Sequence, residues 1–417
     1  MKRTLLLLGS IAAFGAVKAQ VVKDTVTLGA GYANQVWYNL ANDNQASKPK
    51  NEWDIAFEVN GGASAAILAN TPGGVVLCKY PKGDITAWAT IDTAGIGGWA
   101  KRYNSDTSWA QGAIGRYKDP NNQLDMDWGK YNMTTHVVAG DSIFIIKTAS
   151  GAYKKFVIKD LTSGTYNIRY ANLDGSNEQN KSVTKATYAT KNFVYYNLAT
   201  DLILDREPAA NDWDLVFTQY PRSLDNYGVT GVLQNKQVKA VRVDNLPSKA
   251  TYTNFAAHPF LTRTNVLGAD WKTFTGTAYD IKDSSVYFIE DRVGDIWKLI
   301  FSGFDMTNGS FMFSKENLSK TPTGINEVAK ANAQMVLYPN PAAQGLQVTV
   351  VYNSGRSQDD VKISVYDLGG RMVYAQTLAA QSGLQQYVVP AANLGAGMYI
   401  VTLEAGAARI QQKLVIQ

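Results

Sequence analysis

Between residues 36 and 318 the chain states one pattern twice, and that repetition limits what it can fold into. Val36-Trp37-Tyr38-Asn39-Leu40 returns as Val194-Tyr195-Tyr196-Asn197-Leu198, and Glu52-Trp53-Asp54-Ile55-Ala56-Phe57 as Asp212-Trp213-Asp214-Leu215-Val216-Phe217. Asp127-Trp128 is echoed by Asp270-Trp271, and Asp141-Ser142-Ile143-Phe144 by the run from Asp283 to Tyr287. The strand-like Tyr153-Lys154-Lys155-Phe156-Val157-Ile158 is echoed by Ile296-Trp297-Lys298-Leu299-Ile300-Phe301. The exits Ala171-Asn172-Leu173 and Glu316-Asn317-Leu318 also correspond. The unit is about 150 residues long, which describes two tandem domains rather than a solenoid of short repeats. Short β-branched and aromatic runs separated by glycine turns, with no long helical periodicity, make the expected fold all-β. The first copy is placed at 20–178 and the second at 182–320.

The spacing between copies is 160 at Trp53/Trp213 but 143 at Trp128/Trp271, so the first copy carries about 17 extra residues between these landmarks. Gly61-Gly62-Ala63-Ser64 and Thr71-Pro72-Gly73-Gly74 make that region loop-rich. Loops on a rigid scaffold are where binding residues concentrate, so the copies need not share a ligand. The tryptophans are expected in the cores, and Asp54 and Asp214 are expected to satisfy backbone N–H groups at turns.

Export is written into the N-terminus. Lys2-Arg3 precedes an apolar stretch from Leu5 to Val17, too short to span a bilayer, and Val17-Lys18-Ala19 predicts cleavage after Ala19. Gln20, not a cysteine, stands directly after the cleavage site, which argues against a lipid anchor, and no second long apolar run predicts a transmembrane segment. The formal charge of +5 falls to +2 once Lys2, Arg3 and Lys18 leave. That balance is no nucleic-acid footprint. Cys78 is the single cysteine. Disulfides therefore cannot frame the fold, and its apolar setting in Val75-Val76-Leu77 predicts a buried thiol.

A different composition begins after a polar linker at 321–334. Tyr338-Pro339-Asn340-Pro341 opens a segment of short strands, Val348–Tyr352, Val361–Tyr366 and Met398–Leu403, divided by Gly369-Gly370 and Gly395-Ala396-Gly397 and ending at Lys413-Leu414-Val415-Ile416. Strands of this length between glycine turns predict an Ig-like β-sandwich. The segment 335–417 resembles the type A C-terminal sorting domain of type IX secretion cargo. The resemblance rests on Tyr338, Pro339, Asn340, Pro341, Gly369, Gly370 and Lys413. It implies the type IX machinery as a partner and passage through the periplasm and outer membrane to the cell surface or medium.

Each copy of the repeat resembles the HmuY-like family of secreted haem-binding proteins. The likeness is carried by the aromatic strand, Trp-Asp-Ile/Leu-x-Phe after it, a Gly/Asn-rich stretch (Asn60-Gly61-Gly62; Asn226-Tyr227-Gly228) and a late hairpin with a Lys-bearing strand. The resemblance implies loops that pinch a haem between His or Met ligands. The chain departs from that pattern, having two histidines that do not correspond, His136 and His258. The haem candidates are His136 with Met133 or Met126, His/Met being an accepted axial pair. Met133 and His136 are too close along one extended strand to bind opposite faces of one iron. His258, with Met306 and Met312 downstream, is the weaker alternative.

Catalytic inventories are thin. Neither a Gly-x-Ser-x-Gly elbow nor His-Glu-x-x-His nor a phosphate loop is present, and Cys-His or Ser-His chemistry lacks its base. A carboxylate-pair glycosidase stays open as an alternative. The expected function is non-enzymatic binding of a carbohydrate or host protein through aromatic-rich loops. Haem binding is the alternative, and no cofactor is certain.

Overall fold

A computed structural model describes residues 21–60, 65–319, 334–353, 360–379, 384–391, 394–405 and 408–417. The signal segment, the linker 321–334 for all but its last residue, and the Gly61–Ser64 loop lie outside the described residues. The chain is all-β, with helical geometry confined to short 3-10 turns. It divides into two compact units, Met1–Thr321 and Pro322–Gln417.

The larger unit is built on antiparallel sheets. One follows the order β1 (Val22–Thr27), β22 (Ser310–Asn317), β21 (Ile296–Asp305), β20 (Val286–Glu290) and β17 (Lys239–Val243). A second runs β12 (Gln179–Thr184), β11 (Thr165–Asn172), β10 (Tyr153–Thr162) and on to β8 (Val138–Gly140) and β7 (Gly129–Tyr131). Alongside, β10 also pairs β9 (Phe144–Lys147), which pairs β6 (Val76–Lys79). The path β12–β11–β10–β9–β6 thus repeats the order of the first sheet strand for strand. Both long hairpins bulge at matching positions, Ile158/Asp160 and Phe301/Gly303. Two smaller sheets complete the pattern: β14 (Leu202–Leu204), β13 (Phe193–Asn197), β4 (Ile55–Glu58) and β5 (Ile67–Ala69); then β16 (Gly228–Gln234), β15 (Leu215–Pro221), β2 (Asn34–Tyr38) and β3 (Gln45–Pro49). A hairpin of β18 (Lys272–Phe274) and β19 (Tyr279–Ile281) stands apart.

The hydrogen bonding does not respect the boundary between 20–178 and 182–320. Val22 to Thr27 pair with Lys315 to Ser310, and Val36, Trp37 and Tyr38 pair with Phe217, Val216 and Leu215. Reciprocally, Phe193 to Tyr196 pair with Glu58 to Ile55. Side-chain alternation along these strands shows why. Val36, Tyr38 and Leu40 point into a core formed otherwise by Val26, Leu28 and residues 215–313, and Val194, Tyr196 and Leu198 into one formed otherwise by residues 55–183. The opposite faces, Trp37 on one strand and Phe193 and Tyr195 on the other, meet between the two cores with Trp53 and Trp213. The Trp-Asp aspartates tie this crossing: Asp54 Oδ2 accepts Leu198 N–H at 2.7 Å and Asp214 Oδ2 accepts Leu40 N–H at 2.8 Å. Buried backbone donors are costly to leave unpaired, so each carboxylate fixes the exit of a strand from the far half of the sequence.

The excess residues of the first half lie between its two tryptophan landmarks, in the later part of that interval. Cys78 lies opposite Ile145 as Val241 lies opposite Phe288, an offset of 163 that drops to 143 by Trp128/Trp271. The insert therefore falls between β6 and Trp128. There the turns Ile85–Thr90 and Ile96–Gly98 lay Trp88 and Trp99 over the outer face of the second sheet. Lys155 Nζ donates to the Trp88 carbonyl at 2.7 Å, and the corresponding Lys298 donates to Ala250 O at 2.6 Å. Cys78 is buried, and burial pushes its thiol pKa up, which keeps it protonated and inert.

The C-terminal unit is a sandwich of two antiparallel sheets. One contains β23 (Gln334–Tyr338), β24 (Val348–Asn353) and β27 (Leu384–Val389); the other β26 (Met372–Leu378), β25 (Val361–Asp367), β28 (Gly397–Ala405) and β29 (Ala408–Ile416). Val348, Val350, Ile363, Val365, Val401, Leu403 and Leu414 fill its core. Gly370 turns at φ 78°, a conformation open chiefly to glycine, and Asp367 Oδ1 accepts the N–H groups of Gly369 and Arg371 around that turn.

Candidate functional site

A groove with a volume of about 690 Å³ opens in the larger unit beside β15, β16 and the β18–β19 hairpin. Its rim is the β15–β16 tip. Arg222 N–H donates to Tyr227 O, Asn226 turns at φ 56°, and the Arg222 guanidinium pairs with Asp225 at 2.5 Å while lying 5.7 Å from the Tyr227 ring. The tight turn leaves Tyr227 67% and Leu224 90% exposed, an arrangement that folding itself does not reward.

The floor joins distant segments. Asp106 Oδ1 accepts Ser223 N–H at 3.1 Å, its Oδ2 accepts the Asn265 amide at 2.8 Å, and its carbonyl accepts the Thr264 hydroxyl at 2.5 Å. Tyr32 reaches the groove from the N-terminal segment and stacks on Phe304 at 6.3 Å, with Tyr279 edge-on to Phe304 at 5.2 Å. Lys272 lies beneath them. Its Nζ donates to Thr230 O at 2.6 Å and sits 4.5 Å from the Trp271 ring, and burial lowers its pKa to about 7. Arg263, an exposed residue of the groove lining, makes no ion pair among the described residues. Tyrosine faces, one free guanidinium and amide groups around a cavity of this size can stack on and hydrogen-bond a polar ligand.

Of the residues singled out for haem, His136 and Met133 lie on the turn of β7–β8, the hairpin that follows Trp128 as β18–β19 follows Trp271, and Met126 lies ahead of it. His136 is exposed at its tip, at φ 56°, with Nδ1 2.7 Å from the Tyr131 hydroxyl. Met133 occupies the same turn and is 70% exposed, whereas Met126 packs against the first core with its sulfur 3.9 Å from Lys118 Nζ. The tip offers one imidazole nitrogen to an iron, but not two ligands facing each other across a plane. Among the described residues the set does not fit a two-sided haem clamp. His258 is engaged by Tyr252, Nε2 to hydroxyl 2.7 Å, in a separate cluster. The described residues contain no cluster of three His, Cys, Asp or Glu side chains able to hold a metal ion.

Tyr227 falls in the Gly/Asn-rich stretch noted in the sequence, but the rest of the groove was not anticipated. Its walls come from residues near 32, 106, 222–230 and 263–279, so no local spacing announces it. In the sorting segment the motif residues do converge: Asn340 Nδ2 donates to Lys413 O at 2.6 Å, and Asn340 Oδ1 accepts Val415 N–H at 3.0 Å.

Comparison with known proteins gives two family matches. The secretion system C-terminal sorting domain matches residues 336–417, and the HmuY protein family matches residues 31–171. No curated protein matches the chain. Among solved structures, dimeric latent PorU from Porphyromonas gingivalis aligns at 12% identity over 60% of this chain and 31% of that one, with a TM-score of 0.19. The chain therefore spans under a third of that protein, and the likeness carries no functional weight. The sorting domain fixes the destination as the cell surface or the medium. No described helix is long and apolar enough to cross a membrane.

Proposed function

We propose that the mature protein is a non-enzymatic binding protein, exported by type IX secretion, whose groove beside the β15–β16 tip takes a carbohydrate. The observation that carries this reading is the exposed Tyr227, held by the Arg222–Asp225 pair at the mouth of a polar, tyrosine-lined groove. Sugar rings present C–H faces to aromatic rings and hydroxyls to amides and guanidinium groups, which is what the groove offers. A glycan panel on the secreted protein is expected to show binding that falls about tenfold in Tyr227→Ala, roughly 1.4 kcal/mol, with unfolding unchanged. Glycan binding untouched by Tyr227→Ala and by Arg263→Ala places the ligand elsewhere, and an empty panel removes the carbohydrate reading.

The HmuY match over 31–171 favours a second reading, haem held by the first half through His136. The Tyr131 hydroxyl on Nδ1 leaves Nε2 free as a single ligand to iron from this hairpin. Titration with haemin is expected, on this reading, to give a Soret band that disappears in His136→Ala. A band that survives the substitution excludes His136 as the ligand, and no band leaves the groove as the site.

A further inference from the structure

From the strand registers we infer that the two repeats are interlocked by reciprocal exchange. Each presents a docking face for a three-strand N-terminal segment, and that face is filled by the segment of the other repeat. The segment β1–β3 (Val22–Pro49) completes the core of residues 215–313, and its counterpart β12–β14 (Gln179–Leu204) completes the core of residues 55–172.

Three independent features carry this. The HmuY match runs unbroken from residue 31 to 171 and includes β2 and β3, yet here β2 pairs with β15 of the other repeat and carries β3 with it. The caps are crossed symmetrically: Asp54 holds Leu198 and Asp214 holds Leu40. Asparagines at matching places brace the acceptor sides alike, Asn70 Nδ2 on the Trp53 carbonyl and Asn235 Nδ2 on the Trp213 carbonyl, both at 2.7 Å. Lys315 of β22 also reaches the Leu40 carbonyl and Asp43 across the exchange. The acceptor face is thus a sheet edge, a buried carboxylate and an apolar floor shaped for alternating Val/Tyr/Leu side chains, and it fits the N-terminal segment of a second repeat. The exchange also builds the groove, since Tyr32 travels with the β1–β3 segment to stack on Phe304.

The test uses the full exported chain with a protease site inserted in the exposed turn between Ser176 and Asn177, after which the chain is cut. Interlocked repeats keep the two pieces together at the elution volume of the uncut protein, and they part only in denaturant. Pieces that elute separately in native buffer overturn the inference. Mere adhesion is separated from exchange by a disulfide. Thr25 and Met312 face each other in the β1–β22 register, so Thr25→Cys with Met312→Cys is expected to leave the cut pieces covalently joined on a non-reducing gel. The single variants serve as controls. Absence of that crosslink in folded protein also overturns it.

Discussion

Replacing Arg206 with alanine is expected to lower the stability of the larger unit by about 3 kcal/mol, measured as a shift in the urea midpoint with little change in slope. Arg206 is 4% exposed and sits where the two cores meet. Its Nε donates to Glu52 at 2.8 Å, one Nη to Gln35 at 2.9 Å and the other to Pro49 O at 2.7 Å. The guanidinium carbon lies 5.2 Å from the Trp37 ring, 5.0 Å from Tyr195 and 5.9 Å from Trp53. Truncation leaves the buried Gln35 oxygen unpaired, takes a donor from the Pro49 carbonyl and opens a hole among three rings, costs that add. Glu52 is one-third exposed, so its lost ion pair is the smaller part. Lysine cannot reproduce three directional donors and a flat stacked face, so Arg206→Lys is expected to recover only part of the loss. Beside it Glu207 is buried, which raises its pKa to about 7, and its carboxyl receives the Asn192 N–H and the Tyr195 hydroxyl. A midpoint shift under about 1 kcal/mol for Arg206→Ala would show that the aromatic layer holds without its cation.

The same layer shows how far a sequence can be followed into this fold. Alternation in Val36-Trp37-Tyr38 marks two buried faces, the Trp-Asp pairs mark strand entries, and Lys155 and Lys298 mark one strand position twice; all three are physical signals local to a few residues. Which strand receives which partner is a different matter. Val36/Tyr38/Leu40 and Val194/Tyr196/Leu198 present nearly the same side chains, so either set suits either core, and nothing local distinguishes pairing within a repeat from pairing across it. The site was illegible for a related reason. Histidine is rare in the chain, and its rarity drew attention to His136, which stands exposed on a hairpin tip. The groove is instead made from tyrosine and arginine, common residues gathered from four segments only once the strands have crossed.

Removal of residues 335–417 is expected to hold the chain in the periplasm, detected as loss of the protein from the cell surface and medium with accumulation of a signal-cleaved form. The sorting unit is a folded sandwich whose two ends are fastened together. Ala342 N–H donates to Val415 O at 2.9 Å and Gln417 N–H to Ala342 O at 2.8 Å, and Asn340 bridges Lys413 and Val415 between them. The motif Tyr338-Pro339-Asn340-Pro341 and the final strand therefore form one surface, with Tyr338 72% exposed on it. A machine that recognises this surface needs both ends, so loss of the last strand alone should fail as fully as loss of the whole unit. Asn340→Ala, which removes both side-chain bonds to the last strand, is expected to reduce export while the larger unit still folds, because that unit has its own cores. Surface delivery of the chain lacking 335–417 at the normal level would mean that the address lies elsewhere in the molecule.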